Sequence, residues 1–140
     1  MRLWHIDLIK NDLLPKSQLL AQWRELCSIY QKQDKHILIN YIYKYDKAYL
    51  WNYSLEVIAS LNRHNIKITN KSQEKFKSYF ADLGNMIEDN RTELMFPEHN
   101  IDYLEICYWN LREKYIRGQK DFTKDLFDKL FDYYINIFLD

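Results

Sequence analysis

Glycine and proline are scarce in this sequence of 140 residues, which contains two of each. Hairpin turns between β-strands depend on these residues, so their scarcity argues against a turn-rich β architecture. It also excludes a glycine-rich loop of the kind that binds phosphate groups. A mainly helical protein is the expectation that remains.

Cysteine is equally rare. Cys27 and Cys107 are far apart in the sequence, so neither a disulfide framework nor a zinc site is expected, and we interpret both as buried free thiols. None of the four histidines pairs with another at the i, i+4 spacing of helical metal ligands. The sequence therefore predicts no metal and no cofactor.

Long apolar runs are absent as well, because charged residues interrupt every stretch before it reaches the length of a membrane span. Residues 1–20 also lack the apolar region of a signal peptide, since Asp7, Lys10, Asp12 and Lys16 interrupt it. At 47% hydrophobic and 16% aromatic residues, the chain is too apolar for disorder. We expect a single cytoplasmic domain over residues 1–140 with no membrane partner.

A net charge of zero conceals an uneven distribution. Residues 1–77 contain 13 Lys and Arg against 7 Asp and Glu, whereas residues 78–140 contain 7 and 13. A basic N-terminal half can form a face that binds anions. The alternative is that the two halves attract each other within the fold, and charge alone leaves both interpretations open.

Apolar residues recur at helical spacing along most of the chain. Asn100 has the character of an N-cap for one helix, which Gly118 would close. The expected helices cover residues 15–31, 35–63 with a break near 44–47, 72–80, 101–117 and 122–138. This pattern predicts a compact, all-α, single-domain protein.

Polar side chains lie beside the apolar stripe of the first long helix. At about 100° per residue, Gln18, Gln22 and Glu25 align on one flank, and Arg24 lies further round. A carboxylate and two amides beside the core can serve a reaction. For the helix taken alone, a solvated face with an incidental Arg24–Glu25 pair is the better interpretation.

Lysines alternate with tyrosines after this helix. The lysines are Lys32, Lys35, Lys44 and Lys47, and the tyrosines are Tyr41, Tyr43, Tyr45 and Tyr49. Such a pattern suits phosphate contacts together with stacking on bases. The alternative is an ordinary surface of lysines over a tyrosine-rich core, and the pattern does not decide between them.

Four stretches carry a resemblance to a known family: MRLWHIDLI, LPKSQLLAQWREL, YDKAYLWNYSLEVIASLNRHNIKI and FPEHN. In this order and over roughly residues 1–68 and 94–117, they resemble the pyrimidine-dimer DNA glycosylase family. The resemblance implies an all-helical DNA glycosylase with abasic-site lyase activity. Its partner would be double-stranded damaged DNA.

The resemblance also implies roles for particular residues. In the family, the nucleophile is the N-terminal α-amine and the essential carboxylate is the glutamate of an Arg-Glu element, which here correspond to Met1 and Glu25. Arg2 matches the family's next arginine, and its size should protect Met1 from removal. DNA is expected to bind the basic half through Arg2, Arg24, Lys32, Lys35, Lys44 and Lys47.

Four further residues are candidates for assisting roles: His5, Gln18, Gln22 and His99. His5 follows Trp4 close to the proposed amine, although a hydrogen-bonded core histidine is the alternative. Gln18 and Ser28 replace a histidine and an arginine of the family, and the C-terminus is acidic rather than basic, so the lesion stays open. The alternative function is a non-catalytic helical module that binds nucleic acid or a protein.

Overall fold

The computed structural model describes residues 2–33, 35–83 and 94–139. In these ranges the chain forms α-helices and short 3-10 turns, and no strand. The elements are α1 Ile6–Lys10, α2 Lys16–Lys32, the 3-10 turn Asn40–Lys44, α3 Lys47–Arg63, α4 Asn70–Tyr79, α5 Ile101–Ile116 and α6 Lys124–Phe138. The predicted all-α class is confirmed.

Side-chain caps set the starts of the four helices from α3 to α6. Asp46, Thr69, Asn100 and Thr123 each accept a hydrogen bond from a backbone N–H in the first turn of α3, α4, α5 and α6 respectively. These bonds satisfy amides that have no partner within the helix. The predicted cap at Asn100 is confirmed, and Gly118 follows α5 with a φ of 84°, a conformation that favours glycine.

One predicted helix is wrong in its first part. Residues 35–43 do not continue into α3 but form a turn and then the 3-10 turn, and the predicted break near 44–47 is confirmed. Ile39 and Ile42 are buried at 0% and 4% exposure, and their i, i+3 spacing fits the tighter 3-10 geometry as well as an α-helix. Burial of these two anchors therefore decides the local conformation.

The N-terminal residues lie inside the core. Leu3, Leu8 and Ile9 are fully buried, and α1 packs against α3 while α2 packs against both α3 and α4. Helix α6 covers α5 through stacked rings, with centroid separations of 3.9 Å for Tyr108–Tyr134 and 4.2 Å for Tyr115–Phe127. None of the helices described here is long and apolar enough to cross a membrane.

Both cysteines are buried and free, as expected. Burial raises the pKa of the Cys27 and Cys107 thiols, so both are protonated near neutral pH. Within residues 2–33, 35–83 and 94–139, no group of three or more His, Cys, Asp or Glu side chains is arranged to hold a metal ion.

Candidate active-site cleft

A cleft of about 310 Å³ opens between α2, the N-terminal segment and α5. It is called the Glu25 cleft below. Four residues singled out in the sequence line it, namely Arg2, Gln18, Gln22 and Glu25. Trp4 and Ala21 also line it. Leu38, Asn110 and Lys114 form the rest of the lining, and tertiary structure alone brings these three to the site.

Gln22 fixes the backbone of the N-terminal segment. Its side chain is 2% exposed; Oε1 accepts a hydrogen bond from the Trp4 N–H at 2.7 Å, and Nε2 donates to the Arg2 carbonyl at 3.2 Å. The Tyr53 hydroxyl lies 2.6 Å from the Trp4 carbonyl and 3.0 Å from Gln22 Oε1. Residues 2–4 are thus held against α2 and α3 beside the cleft. Met1, the predicted nucleophile, lies outside the described residues.

Arg2 lies at the edge of this cleft, next to α5. The Tyr103 hydroxyl donates to the Leu3 carbonyl, which fastens the N-terminal segment to α5. Burial raises the pKa of the Tyr103 phenol above its ordinary value. The nearby Arg2 guanidinium lowers this pKa, but by less than burial raises it. The phenol therefore stays protonated and keeps its role as donor.

Glu25 and Arg24 face different clefts. Glu25 lines the Glu25 cleft, whereas Arg24 lines a second cleft on the other side of α2, and no ion pair joins them. The expected Arg24–Glu25 pair is wrong, because adjacent helical positions diverge by about 100°. The half-buried Glu25 carboxylate forms no ion pair within the part of the chain that the structure describes, so its charge is available to a ligand.

The second cleft, of about 390 Å³, lies between α2 and the start of α4 and is called the basic cleft below. Four cationic residues line it, Arg24, Lys67, Lys71 and Lys75, and no carboxylate does. None of the four is ion-paired within the described ranges. Lys67, Lys71 and Lys75 were not among the predicted DNA-binding residues, although their regular spacing of four residues was a usable signal.

The tyrosines of the Lys-Tyr segment belong mainly to the core. Tyr41, Tyr45 and Tyr49 surround Phe96, with ring-centroid separations of 5.4, 5.8 and 5.9 Å. Since these rings are already packed, the structure favours the core interpretation over stacking on bases.

The lysines of the same segment differ in environment. Lys32, Lys35 and Lys44 are exposed. Lys47 instead donates from Nζ to the Tyr79 carbonyl at 3.0 Å and lies 4.2 Å from the centroid of the Tyr79 ring. It therefore links α3 to α4. The other three form no ion pair with any residue that the structure describes, and they can face a ligand.

His5 and His99 lie in a buried cluster and do not line the Glu25 cleft. Nδ1 of His5 accepts from the Asp7 N–H at 3.1 Å and caps α1. Nδ1 of His99 accepts from the Ile6 N–H at 3.1 Å, and Nε2 lies 2.6 Å from the Tyr41 hydroxyl oxygen. Burial lowers the pKa of both imidazoles, that of His99 to about 3, so both position the N-terminal segment as neutral groups.

Residues 1–74 of the sequence match the model of a protein family that is described as pyrimidine dimer DNA glycosylase. The chain belongs to this family. The resemblance noted in the sequence is thereby confirmed. No curated protein and no solved structure matches the chain.

The match to the pyrimidine dimer DNA glycosylase family covers most of both clefts. It includes Glu25, Gln22 and the whole of α2, and it ends within α4. Asn110 and Lys114 on α5 lie beyond the matched residues. The residues matched to the family therefore include Glu25 and Gln22, whereas the wall of the Glu25 cleft that α5 forms lies outside the match.

Proposed function

We propose that this chain is a DNA glycosylase with abasic-site lyase activity that acts on double-stranded DNA damaged at pyrimidines. One observation carries the proposal: Glu25, without an ion-pair partner in the described part of the chain, shares a cleft with Arg2, whose neighbour Met1 would supply the amine. The family's description supports the substrate class.

The proposed reaction begins when the neutral Met1 amine attacks C1′ of the damaged nucleotide. The glycosidic bond breaks, and its electron pair leaves with the base, which takes a proton from water. One proton moves from nitrogen to the ring oxygen as the sugar ring opens, and a protonated imine remains. Glu25 would stabilise the cationic sugar and accept the C2′ proton. The electron pair of that C–H bond then expels the 3′ phosphate oxygen, which cleaves the strand.

The chemistry suits an α-amine. Its ordinary pKa of about 7.7–8.0 leaves a useful neutral fraction near pH 7, whereas lysine, near 10.4, requires desolvation to become a nucleophile. Hydrogen bonds with Gln22 and Tyr53 hold residues 2–4. A fixed backbone at residues 2–4 would lower the entropic cost of bringing a reacting group to C1′.

DNA phosphates would meet cationic residues around both clefts. Arg2 and Lys114 lie at the Glu25 cleft, and Arg24, Lys67, Lys71 and Lys75 at the basic cleft. The exposed Lys32, Lys35 and Lys44 extend this face, whereas Lys47 contributes less because the Tyr79 carbonyl occupies its ammonium group. The two clefts flank α2, so a bound strand would cross this helix.

Borohydride trapping tests the function directly. With duplexes that contain an abasic site or ultraviolet damage, the reduced imine should give a covalent adduct whose peptide map places it on Met1. Acetylation of the α-amine should abolish the adduct. An adduct on a lysine would refute the role of Met1, and no adduct with any substrate would favour a non-catalytic binding module.

The basic cleft yields a quantitative prediction. The double change Lys67→Gln with Lys71→Gln should weaken DNA binding and flatten its salt dependence by roughly 1.8 in the slope of log K against log salt, at about 0.9 per lost phosphate contact. Fluorescence anisotropy across a KCl series measures the slope. Lys120→Gln with Lys129→Gln removes two exposed lysines elsewhere and is the control. Equal slopes for the two double variants would exclude the basic cleft from the DNA interface.

A further inference from the structure

Helix α5 is apolar on two opposite sides. Its inner side packs into the core through buried residues that include Leu104, Cys107 and Leu111. Its outer side exposes three large apolar side chains, namely Ile106 at 50%, Trp109 at 49% and Ile116 at 62%. A surface helix of a globular protein presents polar residues to water, and a helix that is apolar all round is usually buried. The outer side of α5 therefore has the character of a contact surface.

The exposed apolar side chains form one stripe, which is called the α5 outer face below. Ile106 and Trp109 are three residues apart and Ile116 follows seven residues later, so all three lie within a sector of about 80°. The centroid of the Trp109 ring lies 5.4 Å from that of Tyr108 and 6.2 Å from that of Tyr134. These ring contacts hold the indole at the middle of the α5 outer face.

Charge divides the α5 outer face into two halves. Asp102 and Glu105 lie in its N-terminal half, in the same shallow depression as the apolar side chains. Arg112 lies in its C-terminal half, with its guanidinium 5.3 Å from the centroid of the exposed indole ring. None of these three forms an ion pair within the ranges described, whereas Glu113 and Arg117 pair with each other at 3.4 Å. The face is therefore acidic at one end and basic at the other.

Such a face is complementary to a second copy of itself. Glu105 and Arg112 are seven residues apart, so they lie on the same flank of α5 and about equally far from its middle. A two-fold axis near Trp109 that pairs two α5 helices antiparallel brings each Glu105 opposite Arg112 of the other copy. The same axis brings the two indole rings together. A parallel pairing would place acid against acid, so charge selects the antiparallel one.

We propose that the α5 outer face is the interface of a two-fold symmetric homodimer, with Trp109 at its centre and Glu105–Arg112 ion pairs on its flank. One helix face buries less than the roughly 800 Å² per partner of a standard interface, so the dimer is weak and depends on concentration. Asn110 and Lys114, the α5 residues of the Glu25 cleft, lie about 100–140° round the helix from Trp109. The pairing therefore leaves both clefts open, and it does not depend on the proposed function.

Sedimentation velocity over a concentration series tests the dimer. The mass of the wild-type protein should rise from that of one chain toward that of two as the concentration approaches about 1 mM. Trp109→Ala should weaken self-association by more than about tenfold, because a large aromatic residue at the centre of an interface contributes most to its affinity. Ile37→Ala is the control, since Ile37 is 79% exposed on the turn before the 3-10 turn and lies outside α5. It should associate as the wild type does.

Exchanging charges tests the orientation without removing the apolar stripe. Glu105→Arg and Arg112→Glu should each weaken self-association about tenfold at low salt, because each places like charges opposite one another at two symmetric positions. In a mixture of the two variants every such position again joins opposite charges, so a heterodimer should form with about the wild-type affinity. Lys10→Glu is the control, because it reverses an exposed charge on α1.

Thermal melting shows that each variant is folded before its mass is compared. A wild-type protein that stays monomeric throughout the series would overturn the dimer, as would Trp109→Ala protein that associates like the wild type. A mixture that associates no better than its two components would overturn the antiparallel arrangement. None of these outcomes bears on DNA cleavage, so the proposed function would stand.

Discussion

Glu25→Gln is expected to reduce strand cleavage at an abasic site by at least about 10²-fold, the usual contribution of a general acid-base group. The amide keeps the shape of the side chain but removes its charge and its capacity to accept a proton. Affinity for DNA should hold or rise, since a negative charge near phosphates has gone. Stability should be unchanged, because no ion pair of the described residues involves Glu25.

Single-turnover cleavage, anisotropy and thermal melting separate these effects. Glu105→Gln is the control, since Glu105 is also half-buried but lies on α5 outside the Glu25 cleft. Parallel losses of stability and cleavage in Glu25→Gln would identify a structural carboxylate. Wild-type cleavage would exclude Glu25 from the mechanism.

Local chemistry explains why most helices were predictable. Asn100 and Gly118 bracket α5 with groups whose preferences act within a few residues, and periodicity alone located α2. The segment from residue 35 to 43 was not predictable in this way. Its conformation depends on where Ile39 and Ile42 are buried, and that is decided by elements distant in sequence.

In the candidate site, too, some contacts follow from the local sequence and others depend on elements distant in the chain. Helical geometry placed Gln18, Gln22 and Glu25 together, because their relative directions on α2 depend only on residue spacing. Lys114 and Leu38 join them only through the packing of the whole chain. No local pattern encodes such contacts, so the sequence predicted one wall of the cleft and not the others.

The histidines show a further limit on what can be predicted from the sequence. His99 was a candidate for an assisting role, yet in the fold its two nitrogens face the Ile6 amide and the Tyr41 hydroxyl. An imidazole whose pKa lies near 3 is neutral at physiological pH and ill suited to donate a proton there. The residue type identified His99 as a polar candidate, but the two partners that define its role come from two segments distant in the sequence.

Gln22→Leu is expected to show the second large effect, because Gln22 connects the N-terminal segment to α2. Leucine fits the volume but leaves the Trp4 N–H and the Arg2 carbonyl without their partners. Unpaired buried groups of this kind cost about 1–3 kcal/mol each, so for the two groups we expect a loss of roughly 2–6 kcal/mol in the free energy of unfolding. Urea denaturation measures this loss.

Cleavage by Gln22→Leu should fall by about 10²-fold even at temperatures where the variant is fully folded, because a shift of about 1 Å in the attacking group has that effect. Gln18→Leu is the control: Gln18 lines the same cleft one turn earlier but bonds to Gln119 instead of the N-terminal backbone, so cleavage should stay near wild type. DNA affinity should be similar in both variants, since neither changes a charge.

A folded Gln22→Leu protein that cleaves at the wild-type rate would show that the anchored backbone serves stability alone. A fall in rate at unchanged affinity would identify Gln22 as the residue that positions the nucleophile.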